Sequence, residues 1–460
     1  MQRVCFVDSL KELLEGIDLE QKYRFPPVDE YSLENGLKVI LLPDREQDGL
    51  LITLQLPFGK FSDICGKEGI SELTLNLLQK GSGKYTAEEI SDKLENRGVS
   101  IFSDVSEEFM RIGIRMLSKF VDEIFPVFWE MVYKPEFDKS EYNRLMREMV
   151  TALKAEIVDP HIIASHHFYK QLAGSQHPAG RFVSQDTLKK INFTDVVSFY
   201  RESFRPQNST LVVAGNFVPR DFKNKWNKLL LEWKGNGRSQ VCYASSIEPD
   251  RKAIRLIDKP DLTQTTIIAG HPVLGEVNPL RNQIILANYI LGGGNFSSRL
   301  MAKIRSVCGK TYGVNSQIIS EREFGVFRIA TSTQNNHVGE VMAIIMEVFQ
   351  EFCEHGIEEE ELEKAKKFIT GNMAFQLEGI SNLVEKILWL QYLERPYSYL
   401  ENFNELISEI SLDSVNSAIK KTFFYEKLTV VTVGKRVEIE EDLKKFGTVK
   451  NYFYRNKIKD

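Results

Sequence analysis

Histidine and cysteine, the side chains that most often hold metals or staple small folds, are scarce here. The five cysteines, Cys5, Cys65, Cys242, Cys308 and Cys353, are odd in number, far apart and without a Cys-x-x-Cys pair. That excludes a disulfide framework and a thiolate zinc site, and it suits free thiols in a reducing compartment. Of the seven histidines only His161, His166 and His167 cluster, and a five-residue gap does not stack two rings on one helical face. They read as packing or solvated residues, and His177, in "GSQHPAGR", as a residue that positions backbone. No stretch approaches the eighteen or so apolar residues of a membrane span, and the first nineteen residues are broken by Arg, Asp, Lys and Glu, so neither a span nor a secretory leader is expected. A cytoplasmic protein fits, or a periplasmic one whose leader has been removed. Lys plus Arg number 59 against 64 Asp plus Glu, a net charge of -5. With no basic surplus, nucleic acid is not an expected partner.

What is present is a chain of 460 residues, more than one core usually serves, with 42% hydrophobic and 27% charged residues as in ordinary globular proteins. Its main feature is an internal repeat. "INFTDVVSFYRESFRPQNSTLVVAG" ends at Gly215 and "ISLDSVNSAIKKTFFYEKLTVVTVG" at Gly434, an offset of 219. "FDKSEYNRLMREM", from Phe137, and "IEEEELEKAKKFI", from Ile357, repeat their polar and apolar pattern at an offset of 220.

Each copy reads as strands mixed with longer amphipathic helices. "GLKVILLPD" and "LLITLQLPFG" are two β-rich runs around a polar turn and read as a hairpin. "TAEEISDKLENRG" offers Thr86 as helix cap with Glu89 three residues on, and Gly98 as stop. "FVDEIFPVFWEMV" and "EYNRLMREMVTALKAEI" have helical apolar spacing. The expected class is α+β: two homologous, α/β-sandwich-like halves from a duplication at about 220 residues, arranged as a clam-shell. The expected domains are an N-terminal extension, 1–30, an N-terminal half, 31–235, and a C-terminal half, 236–460. The join is placed near Gly237, within 233–250.

The segment "GISELTLNLLQKGS" resembles the metal-site helix of the pitrilysin/insulinase family of zinc metallopeptidases, which commonly reads Gly-x-x-His-x-x-Glu-His and then Lys-Gly. In such an inverted site two histidines four apart share a helical face with the glutamate base beside them. Aligned on Gly69 and Lys80-Gly81, the resemblance puts the histidines at Glu72 and Asn76 and the base at Leu75. The family's third ligand, a glutamate about 75 residues on, falls at or next to Ala152, with Glu148 and Glu156 out of register. Zinc needs nitrogen, sulfur or oxygen donors, so Glu72, Leu75, Asn76 and Ala152 mark a degenerate site and no zinc is expected in this chain. Glu72 and Asn76 then read as a helix-surface pair.

The second half keeps its family pattern. "ILGGGNFSSRLMAKIRSVCGKTYGVNSQI" has the glycine-rich turn, Ser-Arg-Leu, and an Arg and Tyr seven apart, Arg305 and Tyr312. The glycines, 292–294, form no phosphate loop, since neither Gly-x-x-x-x-Gly-Lys nor Gly-x-Gly-x-x-Gly fits. In family members such a pair contacts substrate at a zinc site across the enclosed cavity, in the other half or another subunit. The resemblance covers nearly all of the chain beyond the first thirty residues. It implies a non-catalytic, substrate-binding subunit, inactive alone, that pairs with a homologous zinc-bearing subunit and lends Arg305 and Tyr312 to peptide hydrolysis. The alternative it leaves open is a structural scaffold like the inactive homologues of the respiratory bc1 complex. "GVSIFSDVSEEFMRIGIRM", 98–116, is the expected peptide-binding edge, although Ile101-Phe102 stands where active members often have Asn-Ala.

Overall fold

The structure is a computed structural model that describes residues 23–235, 243–248, 250, 253–307 and 311–455, apart from the side chains at 295, 305–307, 311 and 312. The first sheet contains β1 (Asp29–Ser32), β2 (Lys38–Pro43), β3 (Gly49–Leu56), β4 (Ser100–Val105), β5 (Met110–Leu117) and β6 (Thr210–Gly215), in the order β1-β2-β6-β3-β5-β4. The second contains β7 (Ala253–Asp258), β8 (Gln264–Leu274), β9 (Thr311–Ser320), β10 (Phe324–Gln334), β11 (Thr429–Gly434) and β12 (Val449–Phe453), in the order β12-β7-β11-β8-β10-β9.

Five strands of each sheet correspond in order and direction. β2 runs parallel to β6 as β7 does to β11, and the remaining neighbours are antiparallel. Two mixed six-stranded sheets with long helices make the fold α+β, as the repeat predicts. The sixth strand is not duplicated: β1 precedes β2 and pairs antiparallel, whereas β12 comes from the end of the chain and pairs parallel with β7. The expected hairpin of β2 and β3 does not form, because β6 lies between them. A strand arriving from far along the chain leaves no local trace in the two runs it separates.

Local chemistry sets the helix ends. Thr86 caps Ala87–Glu95 in a full capping box with Glu89, as expected. Gly98 follows in the left-handed region at φ 62.

The halves are interlocked by exchanged helices. Pro160–Ala173, from the first half, sets Ile163, Ala164 and Phe168 against Ile268, Val326 and Val431 of the second sheet. Ile380–Tyr392, from the second half, sets Val384, Ile387 and Leu388 against Ile40, Leu51 and Val212 of the first. The two helices start 220 residues apart, so the exchange is itself part of the repeat. It also explains why β2, β6 and β11 read as continuous apolar runs: each is covered on one face by its own half and on the other by the exchanged helix. Each fully buried aliphatic side chain contributes about 1.5–3 kcal/mol, so three per helix oppose separation strongly.

The predicted join lies largely outside the described residues. Trypsin is expected to cut after Arg238 in the Gly-Asn-Gly-Arg stretch, since segments rich in small polar residues are favoured sites. The two fragments should still co-elute in native buffer and part only in denaturant. Separate elution without denaturant would contradict the interlock.

Candidate functional site

The helix aligned with the metal-site helix runs from Ile70 to Leu77. Gly69, at φ 102, precedes it, and an added Cβ there would lie 3.0 Å from Leu188 Cδ2, so glycine is required for both conformation and space. The Asp63 carboxylate caps this end, accepting from Gly69 N at 2.6 Å and Ser71 N at 3.0 Å. Burial outweighs those bonds and pushes the Asp63 carboxyl up to about 6.

Ile70, Leu73, Leu75 and Leu77 point into the core of the first half. The position of the expected base, Leu75, is therefore absorbed into the core. Asn76 is half-buried, and Glu72 is exposed. Ala152, on the neighbouring helix Lys139–Glu156, is also exposed and offers only a methyl group. Glu72 and Asn76 are less of a pair than expected, because Glu72 lines a cavity between the halves and Asn76 does not. Glu156, out of register for the third ligand, lines that cavity too and lies close enough to Glu72 to raise its pKa, after the larger effect of desolvation.

Zinc does not fit these positions. They hold one carboxylate, one amide, one isobutyl group and one methyl group, and among the described residues no three His, Cys, Asp or Glu side chains gather where they could hold a metal ion. Elemental analysis of the purified chain is expected to find no stoichiometric zinc, and a quenched-peptide assay no cleavage. About one zinc per chain, with activity abolished by Glu72→Ala, would contradict this.

The cavity measures about 510 Å³. Lys60, Glu72, Glu107 and Glu156 line it from the first half, Ile319, Glu321, Phe324 and Arg328 from the second. The hairpin tips meet beside it. Glu108, in the β4–β5 turn, accepts from Ala244 N at 3.0 Å, from Arg322 N at 3.2 Å and from the Tyr392 hydroxyl. His177 does position backbone: Nδ1 accepts from Ala179 N at 3.2 Å, and Nε2 lies 3.0 Å from Ser245 O. His166 stacks on Phe182 and His167 is buried, both as packing residues.

Sequence reasoning missed Glu321. Burial, then Glu107, Glu108 and Glu276 nearby, pushes its carboxyl up to about 8 against the pull of Lys60. An unfolded glutamate titrates at about 4.3. Between those values the folded chain holds a proton that the unfolded chain has released, so stability falls as pH rises through the window. The buried His166, His167 and His271, pushed down to about 4, act in the opposite sense, but only below the unfolded histidine value of about 6.5. From about pH 6.5 to 8 Glu321 should therefore dominate these groups, with a slope of at most about 1.4 kcal/mol per pH unit. Glu321→Gln is expected to flatten that decline in urea unfolding. Equal slopes in the two proteins would contradict the assignment.

Arg305 and Tyr312 are described in backbone only. Arg305 lies in the π-helical turn Ala302–Val307 and Tyr312 is the second residue of β9, while both side chains fall outside the described residues. The glycine run lies at the end of a helix that continues into a wider turn. Arg281–Asn288 ends, and Tyr289–Gly293 forms a wider turn in which an added Cβ on Gly292 would lie 2.6 Å from Ser316 Oγ.

Comparison with known proteins decides the family. Residues 38–175 match the profile of Insulinase (Peptidase family M16), and residues 190–369 match that of the Peptidase M16 inactive domain, together well over half of the chain. The chain belongs to the insulinase, or M16, family. Within that family it is a member with Glu72, Asn76 and Ala152 in place of the two histidines and the glutamate at the expected metal positions. It is 24% identical over 377 residues to the "Non-peptidase homolog YmxG" of Helicobacter pylori, covering 80% of this chain and 85% of that protein. It is 21% identical to the "Uncharacterized zinc protease YmxG" of Bacillus subtilis, covering 86% and 96%. In fold it resembles a peptidase M16 inactive domain from Pseudomonas fluorescens, with a TM-score of 0.83 at 23% identity over 90% of this chain and 99% of that one. No helix among the described residues is long and apolar enough to cross a membrane.

Proposed function

We propose that this M16 chain is the non-catalytic, substrate-binding subunit of a heterodimeric zinc metallopeptidase. The observation that carries the reading is a combination: a cavity lies between the halves, while the expected metal positions hold Glu72, Asn76 and Ala152 in place of two histidines and a glutamate. A homologous partner would supply the zinc, and this chain would supply Arg305 and Tyr312 and part of the peptide chamber.

Two features support peptide capture. β4 lies at the edge of its sheet, paired only with β5, so an extended peptide has a free edge to join. Phe102 lies on the paired side, against Gly113 of β5, where an added Cβ would sit 2.3 Å from the ring. The cavity is lined by Asp63, Glu68, Glu72, Glu107 and Glu156 against Lys60, Arg181 and Arg328, with Glu321 protonated among them, an acidic balance that favours a basic peptide. The domains proposed are an N-terminal extension, 1–30, and the halves 31–235 and 236–460, with β1 beginning at Asp29, two residues inside the extension.

The test is reconstitution with a homologue that has an intact His-x-x-Glu-His. A one-to-one complex by size, hydrolysing peptides faster than the homologue alone, is the expected result. Absence of any complex at micromolar concentrations would overturn the reading.

A further inference from the structure

Behind the inter-half cavity lies a larger one, of about 670 Å³, within the range of small-molecule sites. The two share a wall in which His166 stacks on Phe182 with ring centres 4.2 Å apart. Leu153, Ile162, Ile163 and Val183 supply its apolar lining, and Tyr454 and Arg455, just after β12, close it from the second half.

Two observations mark it as more than a packing gap. His167 lines it at 2% exposure, and its Nδ1 has no hydrogen-bond partner among the described residues. A buried polar atom without a partner is uncommon in a native structure and calls for one. Independently, Ile157 and Val158, at the turn between the two lining helices, are 47% and 50% exposed, an apolar rim without cover. The charges around the cavity lean positive, with Lys170, Arg181 and Arg455 against Glu68 and Asp186. The buried Nε of Arg181, which can only donate, also lacks an acceptor.

We propose that this cavity binds a small amphipathic monocarboxylate, its hydrocarbon or aromatic body on the apolar lining and its carboxylate accepting from His167, with Arg181 supplying positive charge at the shared wall. The site needs neither zinc nor a partner subunit, so it stands or falls separately from the peptidase reading.

The probe is octanoate, titrated calorimetrically into the full chain, with octylamine and octanol as controls. One octanoate should bind per chain, at least tenfold tighter than either control. His167→Phe keeps the ring and its volume, and should weaken octanoate at least tenfold while leaving octanol unchanged. Ile157→Asp changes an exposed rim residue and should weaken octanoate and octanol alike, so it decides the matter if His167→Phe does not fold. Failure of octanoate to bind, equal binding of octanoate and octylamine, or full-strength binding to Ile157→Asp would each overturn the proposal.

Discussion

Glu108→Ala is expected to lower the unfolding free energy by about 3–5 kcal/mol, the largest loss from any single change near the cavity. Glu108 is 5% exposed and is the common acceptor for three parts of the molecule: Ala244 from the segment joining the halves, Arg322 from the β9–β10 turn, and Tyr392 at the end of the exchanged helix. Alanine leaves the Ala244 N–H and the Tyr392 phenol facing an emptied site, at about 1–3 kcal/mol for each unsatisfied donor, while Arg322 N keeps its 2.6 Å bond to the Tyr392 hydroxyl oxygen. Glu108→Gln keeps the volume but turns one acceptor oxygen into a donor, so one bond becomes a donor facing a donor. It should cost about 1–3 kcal/mol. Tyr392→Phe should cost less, because Glu108 keeps both backbone bonds. Urea unfolding of the three variants checks the order. A loss under about 1 kcal/mol for the alanine variant would mean that the hairpin contact does not hold the halves together.

That contact shows how far the sequence could be read. The repeat is visible in the helices because Asn192 and Ser411 cap matching elements, Phe193–Ser203 and Leu412–Thr422, at the same offset of 219. It is also written, more faintly, at the hairpin tips. Ser-Glu-Glu-Phe at 106–109 answers Ser-Glu-Arg-Glu-Phe at 320–324, and these bring Glu107, Glu108 and Glu321 to one place. The tips stand at an offset of 214 to 215 rather than 219, so the match escapes a search at constant offset. The exchanged helices were less legible. Periodicity tells that a helix has a buried face, not which sheet will cover it, and "PHIIASHHFYKQLA" would pack equally well on either. The loss of the metal site could be read from residue identity, since no fold can make a donor of a methyl group. What could not be read is that Leu75 joins the core while Glu72 stays at the cavity, which depends on how the helix is rotated against its neighbours.

Tyr312→Phe, in the complex with a zinc-bearing homologue, is expected to lower peptide turnover by about 10²-fold, equivalent to about 2.7 kcal/mol of transition-state stabilisation. The argument is one of donors: a phenol O–H and a guanidinium, held in a chamber shielded from water, stabilise the charge that develops on a peptide carbonyl as it is attacked. Phenylalanine keeps the ring and removes only the hydroxyl. Arg305→Lys keeps the charge but gives up the planar fork, and should be similarly damaging if two-point contact with the peptide is its task. Because no three His, Cys, Asp or Glu side chains gather into a metal site among the described residues, neither substitution should change peptide hydrolysis by the isolated protein. The assay is hydrolysis of a quenched peptide by the reconstituted complex, with assembly followed separately by size. A fall in turnover at unchanged assembly places the pair at the partner's reacting centre. If both variants assemble and cleave like the parent, the pair is structural, and a scaffold role becomes the better account of why the fold outlived its metal site.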